Sequence, residues 1–316
     1  MTIRRVLLPV LLLLLSVLAA CGKGGESPAL SGEPIEEPST TTTAAPDEGE
    51  AEGDDDASDA ADAADATLIE ITGAEYAYFG GLPTEPVPAG EVTVSLENTG
   101  AEEHQASLVR FKDGKTVEDL IAIGEDPSQL PTIVDGYGGP NGVAPGATVA
   151  STQVLEAGEY LFICFIPAPD GQPHAVKGML APFTVEGEAP EEPAASENEP
   201  VVMDEYTFGA EDGPTYDGGF FSFENEGEQL HEAAVYGLAE GATIEDAVAF
   251  FEDPASAVGP PPITSAGGIG PITPGIRSEV ELELAPGDYV FACFIPDVAD
   301  GAPHLVKGMI EGFTIE

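Results

Sequence analysis

The sequence predicts an all-β protein made of two tandem copies of one domain, each with one short helix. Residues 67–72 and 91–96 alternate apolar and polar side chains with a period of two, as half-buried strands do. The 316 residues include 38 glycines and 29 prolines but no tryptophan, which is typical of strands joined by turns. The second half of the chain also repeats the residue pattern of the first.

The elements of the first copy can be placed in order. A short helix is predicted from residue 116, because the Thr116 hydroxyl can cap it and Glu118 and Asp119 lie near its positive end. The turn at residues 157–159 leads into a strand that ends on Cys164. The other predicted strands are residues 67–72, 91–96, 106–111 and 148–155.

The duplication defines the domain boundaries. Three residues of the first copy recur 127 positions later: Asn98, His104 and Thr116 correspond to Asn225, His231 and Thr243. Downstream the offset grows to 129 and then 130, so it changes only in loops. Because stacked repeats need three or more copies, two copies predict separate cores. The expected units are a signal peptide (1–20), a tether (21–66), domain 1 (67–186), a linker (187–200) and domain 2 (201–316).

The N-terminal segment predicts export and a lipid anchor. Arg4 and Arg5 precede an apolar run that is too short to span a membrane and is typical of a signal peptide. The residues ending in Cys21 (Leu-Ala-Ala-Cys) resemble a bacterial lipobox, which implies lipidation of Cys21. The alternative is a plain signal peptide cut near Ala20. Residues 22–66 are rich in Thr, Pro, Ala and acids, so we expect a disordered tether on the outer face of the cell membrane or in the periplasm.

The charge of the chain restricts its partners. It has 58 acidic residues against 9 lysines and arginines. A surface this acidic repels nucleic acid and anionic lipid, so the sequence predicts neither as a partner. It would attract basic proteins, although solubility alone also explains much of the charge.

Chemistry concentrates in one loop of each copy. Cys164, His174 and Met179 follow the last predicted strand of the first copy, and Cys293, His304 and Met309 repeat them. A second histidine lies upstream in each copy, His104 or His231, six residues after an asparagine. One thiolate, imidazole nitrogens and a weak thioether suit copper. The alternative is that each cysteine is only a small buried hydrophobe.

The motifs also carry a family resemblance. Gly158-Glu-Tyr-Leu-Phe-Ile-Cys164, followed by His174-Ala-Val-Lys-Gly-Met179, resembles the C-terminal signature of plastocyanin-type cupredoxins. The resemblance implies two Greek-key β-sandwiches with one type 1 copper each, and asparagines that tie the ligand loops together. Nine residues separate Cys164 from His174, a spacing closer to the type 1 loop of copper nitrite reductases. The implied ligands are His104, Cys164 and His174 with axial Met179, and His231, Cys293 and His304 with axial Met309.

The histidine count argues against an enzyme. Copper enzymes of this kind need further histidines, and two type 1 sites use all four in the chain. The expected function is one-electron transfer outside the cytoplasm with a redox partner protein, for which charge complementarity favours a basic surface. Copper delivery or sequestration, and a metal-free adhesion module, are the alternatives. The expected docking patch is apolar and surrounds an exposed histidine, with Lys177 or Lys307 beside it: Ala175 and Val176, or Leu305 and Val306.

Overall fold

The computed structural model describes residues 66–123, 127–189, 199–209, 215–216, 218–254 and 258–316. The predicted signal peptide, Cys21, nearly all of the tether and most of the linker lie outside these residues, so those predictions remain predictions. Among the described residues, no helix combines the length and the apolar character that crossing a membrane requires.

The described part of the first half contains nine strands and one α-helix. Helix α1 spans Val117–Ala122 and lies between the fifth and sixth strands. The predicted strands are all present, and β2, β3, β6 and β9 join them. The strands are β1 Thr67–Ala74, β2 Ala77–Phe79, β3 Val87–Pro88, β4 Gly90–Asn98, β5 Ser107–Phe111, β6 Val134–Gly136, β7 Thr148–Leu155, β8 Gly158–Ile163 and β9 Leu180–Glu186.

The second half repeats this arrangement with eight described strands. Helix α2 spans Ile244–Glu252 and follows the fourth of them. The strands are β10 Val201–Met203, β11 Thr215–Tyr216, β12 Phe220–Asn225, β13 His231–Leu238, β14 Ile263–Ile272, β15 Arg277–Glu281, β16 Gly287–Ala292 and β17 Ile310–Ile315. The predicted all-β class is confirmed.

Both helices begin with the same cap. The Thr116 hydroxyl accepts a hydrogen bond from the Asp119 backbone N–H, and the Asp119 carboxylate accepts one from the Thr116 N–H. Thr243 and Asp246 form the identical box on α2. Each box satisfies two N–H groups that would otherwise lack partners at the first turn, which explains why the short helix begins where the sequence predicts.

The described strands form three sheets. A seven-stranded sheet has the order β10-β12-β15-β7-β4-β1-β2, and one five-stranded sheet lies in each half. In the first half that sheet is β3-β9-β8-β5-β6, and in the second it is β11-β17-β16-β13-β14. Alternate side chains of β4 are buried, as a two-layer sandwich requires.

The two halves do not have separate cores, and this corrects the sequence prediction. Strand β7 of the first half pairs antiparallel with β15 of the second, with Ser151 opposite Val280. One cluster of buried apolar residues, from Ile69 to Ile315, runs through both halves. The pairing gives each half a partner for a sheet edge that would otherwise be open, and an open edge is a liability in an isolated domain.

A second seam joins the halves beside the candidate sites. Gly138 N–H donates to the Pro271 carbonyl, and Gly270 N–H donates to the Gly139 carbonyl. Gly139 has φ 87°, and a Cβ there would lie 2.2 Å from the Ala106 carbonyl oxygen. The segment therefore needs glycine to run this close to its neighbour.

Candidate metal centre

Each half brings two histidines and one cysteine together in its interior. His104, Cys164 and His174 form one group, and His231, Cys293 and His304 form the other; within each, the donor atoms lie within 4.8 Å of one another. All six side chains are fully buried. The sequence therefore selected two groups of side chains that do converge.

The donor atoms of the first group point at one another. The Nδ1 atoms of His104 and His174 are 3.1 Å apart, and the Cys164 sulfur is 3.4 Å from the His174 Nδ1. In the second group the two Nδ1 atoms are also 3.1 Å apart. The Cys293 sulfur there lies 3.9 Å from the His231 Nδ1 and 3.5 Å from the His304 Nδ1.

Backbone bonds hold the cysteine loop in place. Cys164 directly follows β8, and His174 opens a 3₁₀ turn, His174–Lys177. The Ala175 N–H donates to the Cys164 carbonyl at 2.9 Å, and the Cys164 N–H donates to the Met179 carbonyl at 3.2 Å. Equivalent bonds hold Cys293, Leu305 and Met309 in the second half. Because a strand end and a closed turn position the ligands, the site is built on rigid elements.

The upstream histidine is fixed by an asparagine. The Asn98 side chain donates to the carbonyls of Glu102 and Val143, and His104 bridges Val143. Asn225 does the same with Gln229 and Ile272 in the second half. The resemblance implied that the asparagines tie the two ligand loops together. In the described part of the chain these amide donors instead tie the histidine turn to a neighbouring segment, at Val143 in the first half and at Ile272 of β14 in the second.

The two methionines are buried at the same loops. The Met179 methyl and the His104 ring both face Gly73 on β1, where an added Cβ would lie 3.2 Å and 3.8 Å from them. Met309 is likewise fully buried, and its N–H donates to the His304 carbonyl. Both methionine side chains are therefore buried at the end of the loop that carries the cysteine and the second histidine.

Burial sets the protonation of the donors. It lowers the pKa of His231 to about 4, with the neighbouring His304 adding to the effect, and it lowers the pKa of His104 in the same way. Burial also raises the pKa of the Cys164 thiol to about 12 and that of Cys293 further. At neutral pH these imidazoles are neutral and offer lone pairs, and each thiol releases its proton only when a cation replaces it.

The residues fit a copper ion. Nitrogen and thiolate ligands at about 2.0 and 2.3 Å from a metal, spread at 120°, stand about 3.5–3.8 Å apart. The three donor-atom distances of the second group and two of those in the first, 3.1–3.9 Å, lie close to this range, and the His104 and Cys164 donors lie within 4.8 Å of each other. A trigonal His₂Cys set beside a thioether is the donor set of type 1 copper.

Both C-terminal histidines are buried, which corrects the expectation of an exposed histidine. Tyr76 packs on His174 with ring centroids 4.8 Å apart, and the Glu102 carboxylate lies 3.0 Å from the His174 Nε2. Tyr206 covers His304 with centroids 5.3 Å apart. The expected apolar patch is only partly present, because Val176 is 70% exposed whereas Leu305 is 4% exposed.

The lysines of these loops form ion pairs. Lys177 pairs with Asp170, and its ammonium lies 5.0 Å from the centre of the Tyr76 ring. Lys307 pairs with Asp297 and Asp300. Each lysine therefore holds the loop against the tyrosine that covers the histidine.

Sequence reasoning missed the residues around the donors. Glu102 reaches His174, while Gln105, Asn141 and Glu232 lie between the two groups. Gln105 and Glu232 each follow a predicted ligand, so their positions were visible. Asn141 lies in a glycine-rich loop of the first half, and no sequence pattern marks it as part of a site. Only the fold brings it into contact with the second half.

Comparisons with known proteins place copper proteins among the similar structures. No protein-family model and no curated protein matches the sequence. A dithionite-reduced auracyanin from Roseiflexus castenholzii is 25% identical over 39% of this chain and 98% of that chain, with a TM-score of 0.29. A multicopper oxidase is 16% identical over 79% of this chain and 88% of that one, with a TM-score of 0.23. The copper nitrite reductase of Nitrosomonas europaea is 12% identical over 79% and 94%, with a TM-score of 0.24. Superpositions this loose add nothing to the geometry of the two sites.

Proposed function

We propose that this chain is a tandem type 1 copper protein of cupredoxin type that transfers single electrons outside the cytoplasm, held at a membrane by a lipid on Cys21. The observation that carries the proposal is the duplicated, fully buried His-Cys-His group with a buried methionine in each half. His104, Cys164, His174 and Met179 would hold one copper, and the corresponding residues of the second half would hold another. Bound copper would supply a one-electron couple whose ligand shell needs little rearrangement.

Burial of the ligands favours electron transfer over copper delivery. A delivery protein must hand its metal to a partner, so at least one ligand should be within reach of that partner. Here every histidine and cysteine ligand is fully buried, and backbone bonds close the loop around it. An electron needs no such access, because it can pass through a covering side chain.

The docking surface follows from what covers the histidines. Tyr76 is partly exposed and contacts His174, while Val176 and Lys177 lie beside it on the same loop. We expect the redox partner to dock over this tyrosine rather than on a bare imidazole. Because the chain carries 58 acidic residues, a basic partner surface would be complementary.

Copper titration with visible spectroscopy tests the proposal. The metal-free protein should bind two Cu(II) ions, one for each His-Cys-His group. It should develop an intense thiolate-to-copper band in the red. Cys164→Ala and Cys293→Ala should each remove about half of the band, since each removes one thiolate, and the double variant should remove it all.

The controls separate the parts of the proposal. Cys21→Ala should keep the full band but lose membrane fractionation, because it removes only the expected lipid. Reversible reduction with the metal retained identifies a carrier, whereas loss of copper on reduction would favour delivery. A colourless protein that binds no copper would overturn the copper proposal.

A further inference from the structure

A chain of buried side chains connects the two cysteine sites. The Phe165 N–H, next to Cys164, donates to the Gln105 Oε1 at 2.6 Å, and the Gln105 Nε2 donates to the Asn141 Oδ1 at 2.7 Å. The Asn141 Nδ2 donates to the Glu232 Oε2 at 3.2 Å. The other carboxylate oxygen, Oε1, accepts from the Phe294 N–H, next to Cys293, at 3.1 Å.

The residue types of this chain are dictated by its two ends. Both ends are backbone N–H donors, so both ends of the side-chain path must accept. A side-chain amide accepts a hydrogen bond at its oxygen and donates one at its nitrogen. Through a series of amides, all hydrogen bonds therefore run in the same direction. The direction must reverse once, and an ionised carboxylate achieves this because both of its oxygens accept. Glu232 is that carboxylate.

A backbone carbonyl of the second half explains why the carboxylate is at position 232 rather than at position 105. The Asn141 Nδ2 also donates to the Ile269 carbonyl at 3.2 Å, which orients the amide with its nitrogen toward Glu232. Its oxygen therefore faces Gln105, which must donate. The duplicated positions 105 and 232 thus hold an amide and an acid for a physical reason.

The side chain that crosses between the two halves comes from the first half, and the equivalent position of the second half is a glycine. Asn141 lies two residues before Val143, the bridge partner of His104. The equivalent position in the second half, two residues before Ile272, is Gly270. A Cβ at Gly270 would lie 2.6 Å from the Gly138 carbonyl oxygen and from the Ser107 hydroxyl. The seam therefore admits one crossing side chain, and Asn141 is that side chain.

We propose that Gln105, Asn141 and Glu232 form the route by which an electron passes between the two sites within one chain. This inference rests on the proposed function and adds internal exchange to it. Electronic coupling decays more slowly along covalent and hydrogen bonds than across van der Waals gaps, and this path from Cys164 to Cys293 consists only of such bonds. One site loses an electron as the other gains it. No heavy-atom bond changes, no proton moves and no outside reactant is needed.

The test uses the copper-loaded full chain in a Met309→Gln background. Glutamine can replace methionine as the axial ligand, so the second site should differ in colour and potential from the first. After a pulse that reduces a fraction of the copper, the two bands should change in opposite directions. The rate of this phase should be independent of protein concentration, because the exchange is intramolecular.

Two variants cut the route and one matched variant does not. Asn141→Leu removes the two central bonds, to Gln105 and to Glu232. Gln105→Met removes the bonds to the Phe165 N–H and to Asn141, while Asn141 keeps its bond to Ile269. Either should abolish the concentration-independent phase. Ser265→Ala also deletes a bond across the seam, from the Ser265 hydroxyl to the Gly142 carbonyl, but lies off the route. It should leave the phase unchanged.

A copper-free measurement checks the chain itself. Amide hydrogen exchange should show the Phe165 and Phe294 N–H groups protected in the native protein. The Phe165 N–H should lose protection in Gln105→Met, which removes its acceptor, and should keep it in Ser265→Ala, where the Gln105 oxygen remains. Unchanged Phe165 protection in Gln105→Met, or an electron-transfer phase that keeps the native rate in both route variants, would overturn the inference. If the copper-loaded protein has two blue sites but no electron transfer between them, only the route is refuted. If it has no blue sites, the proposed function is refuted.

Discussion

The two halves share their ligands but place their acids differently. In the first half Glu102 contacts His174 from outside, and the inner position next to the ligand His104 is the neutral Gln105. In the second half the position of Glu102 is Gln229, and the inner position is the acid Glu232.

A different carboxylate, Asp297, lies on the outside of the second half. Asp297 accepts hydrogen bonds from Tyr206 and Gln229 and pairs with Lys307. Its counterpart in the first half is Ala168, four residues after the cysteine in both copies. His304 is left with no hydrogen-bond partner at its Nε2 among the described residues. Duplication thus preserved the donors, while the surroundings of the two sites diverged.

The difference between Gln105 in the first half and Glu232 in the second can be tested by exchanging these two residues. Glu232→Gln alone sets two amide NH₂ groups against each other, and Gln105→Glu alone sets a carboxylate against the Asn141 oxygen. Each should lower the free energy of unfolding of the metal-free protein by about 1–3 kcal/mol. The double exchange restores a continuous chain if Asn141 flips, and should recover most of this loss. It should remain about 1 kcal/mol below the native protein, because the flipped amide loses Ile269.

Urea unfolding of the four proteins measures the interaction energy of this cycle. Additive effects would show that positions 105 and 232 are not coupled through Asn141. Glu118→Gln is the control, since it neutralises an exposed acid on α1 and should change stability by less than about 0.5 kcal/mol.

The outer asymmetry predicts unequal copper affinities. Glu102→Ala should weaken copper binding at the first site by about tenfold, because a carboxylate on the far nitrogen of a ligating histidine raises its basicity. Gln229→Ala should leave the second site unchanged, since its side chain contacts Tyr206, Asp297 and the Val298 N–H rather than His304.

Competition with a chelator, in backgrounds that keep only one cysteine ligand, gives each affinity separately. Glu102→Ala is measured with Cys293→Ala, and Gln229→Ala with Cys164→Ala. Equal losses at both sites would contradict this assignment, since they would indicate a general loosening of the loops.

The smallest expected effect concerns an acid-sensitive contact of Asp297 in the second half. The Tyr206 hydroxyl, aided by the Ala299 N–H and Lys307, holds the pKa of Asp297 well below its usual range. A lowered pKa in the folded state stabilises the fold above the unfolded pKa of about 3.9, and the contribution is lost as pH falls below it. Asp297→Asn should therefore lower the melting temperature of the metal-free protein at pH 6 and less so at pH 3.

Thermal unfolding across this range checks the prediction. Asp170→Asn is the comparison: Lys177 also lowers the pKa of Asp170, but that side chain is largely exposed, so its pH-dependent change should be smaller. A melting-temperature difference for Asp297→Asn that stays constant with pH would rule out the titration of this carboxyl as its cause.

The sequence determined the repeating parts of this protein. Period-two patterns indicated the strands, Thr116 marked the start of α1, and the spacing of His104, Cys164 and His174 identified a group that does converge. These features are local, because a strand's alternation and a helix cap depend on residues that are near each other in the chain.

Only the tertiary structure decided how the halves meet. The pairing of β7 with β15, the tyrosines that cover His174 and His304, and the contact of Asn141 with Glu232 join residues that are distant in sequence. No local pattern encodes such contacts, since each depends on which sheet edge and which loop the other half presents. The sequence by itself therefore defined two equivalent ligand sets, and packing made them two unequal sites joined inside one molecule.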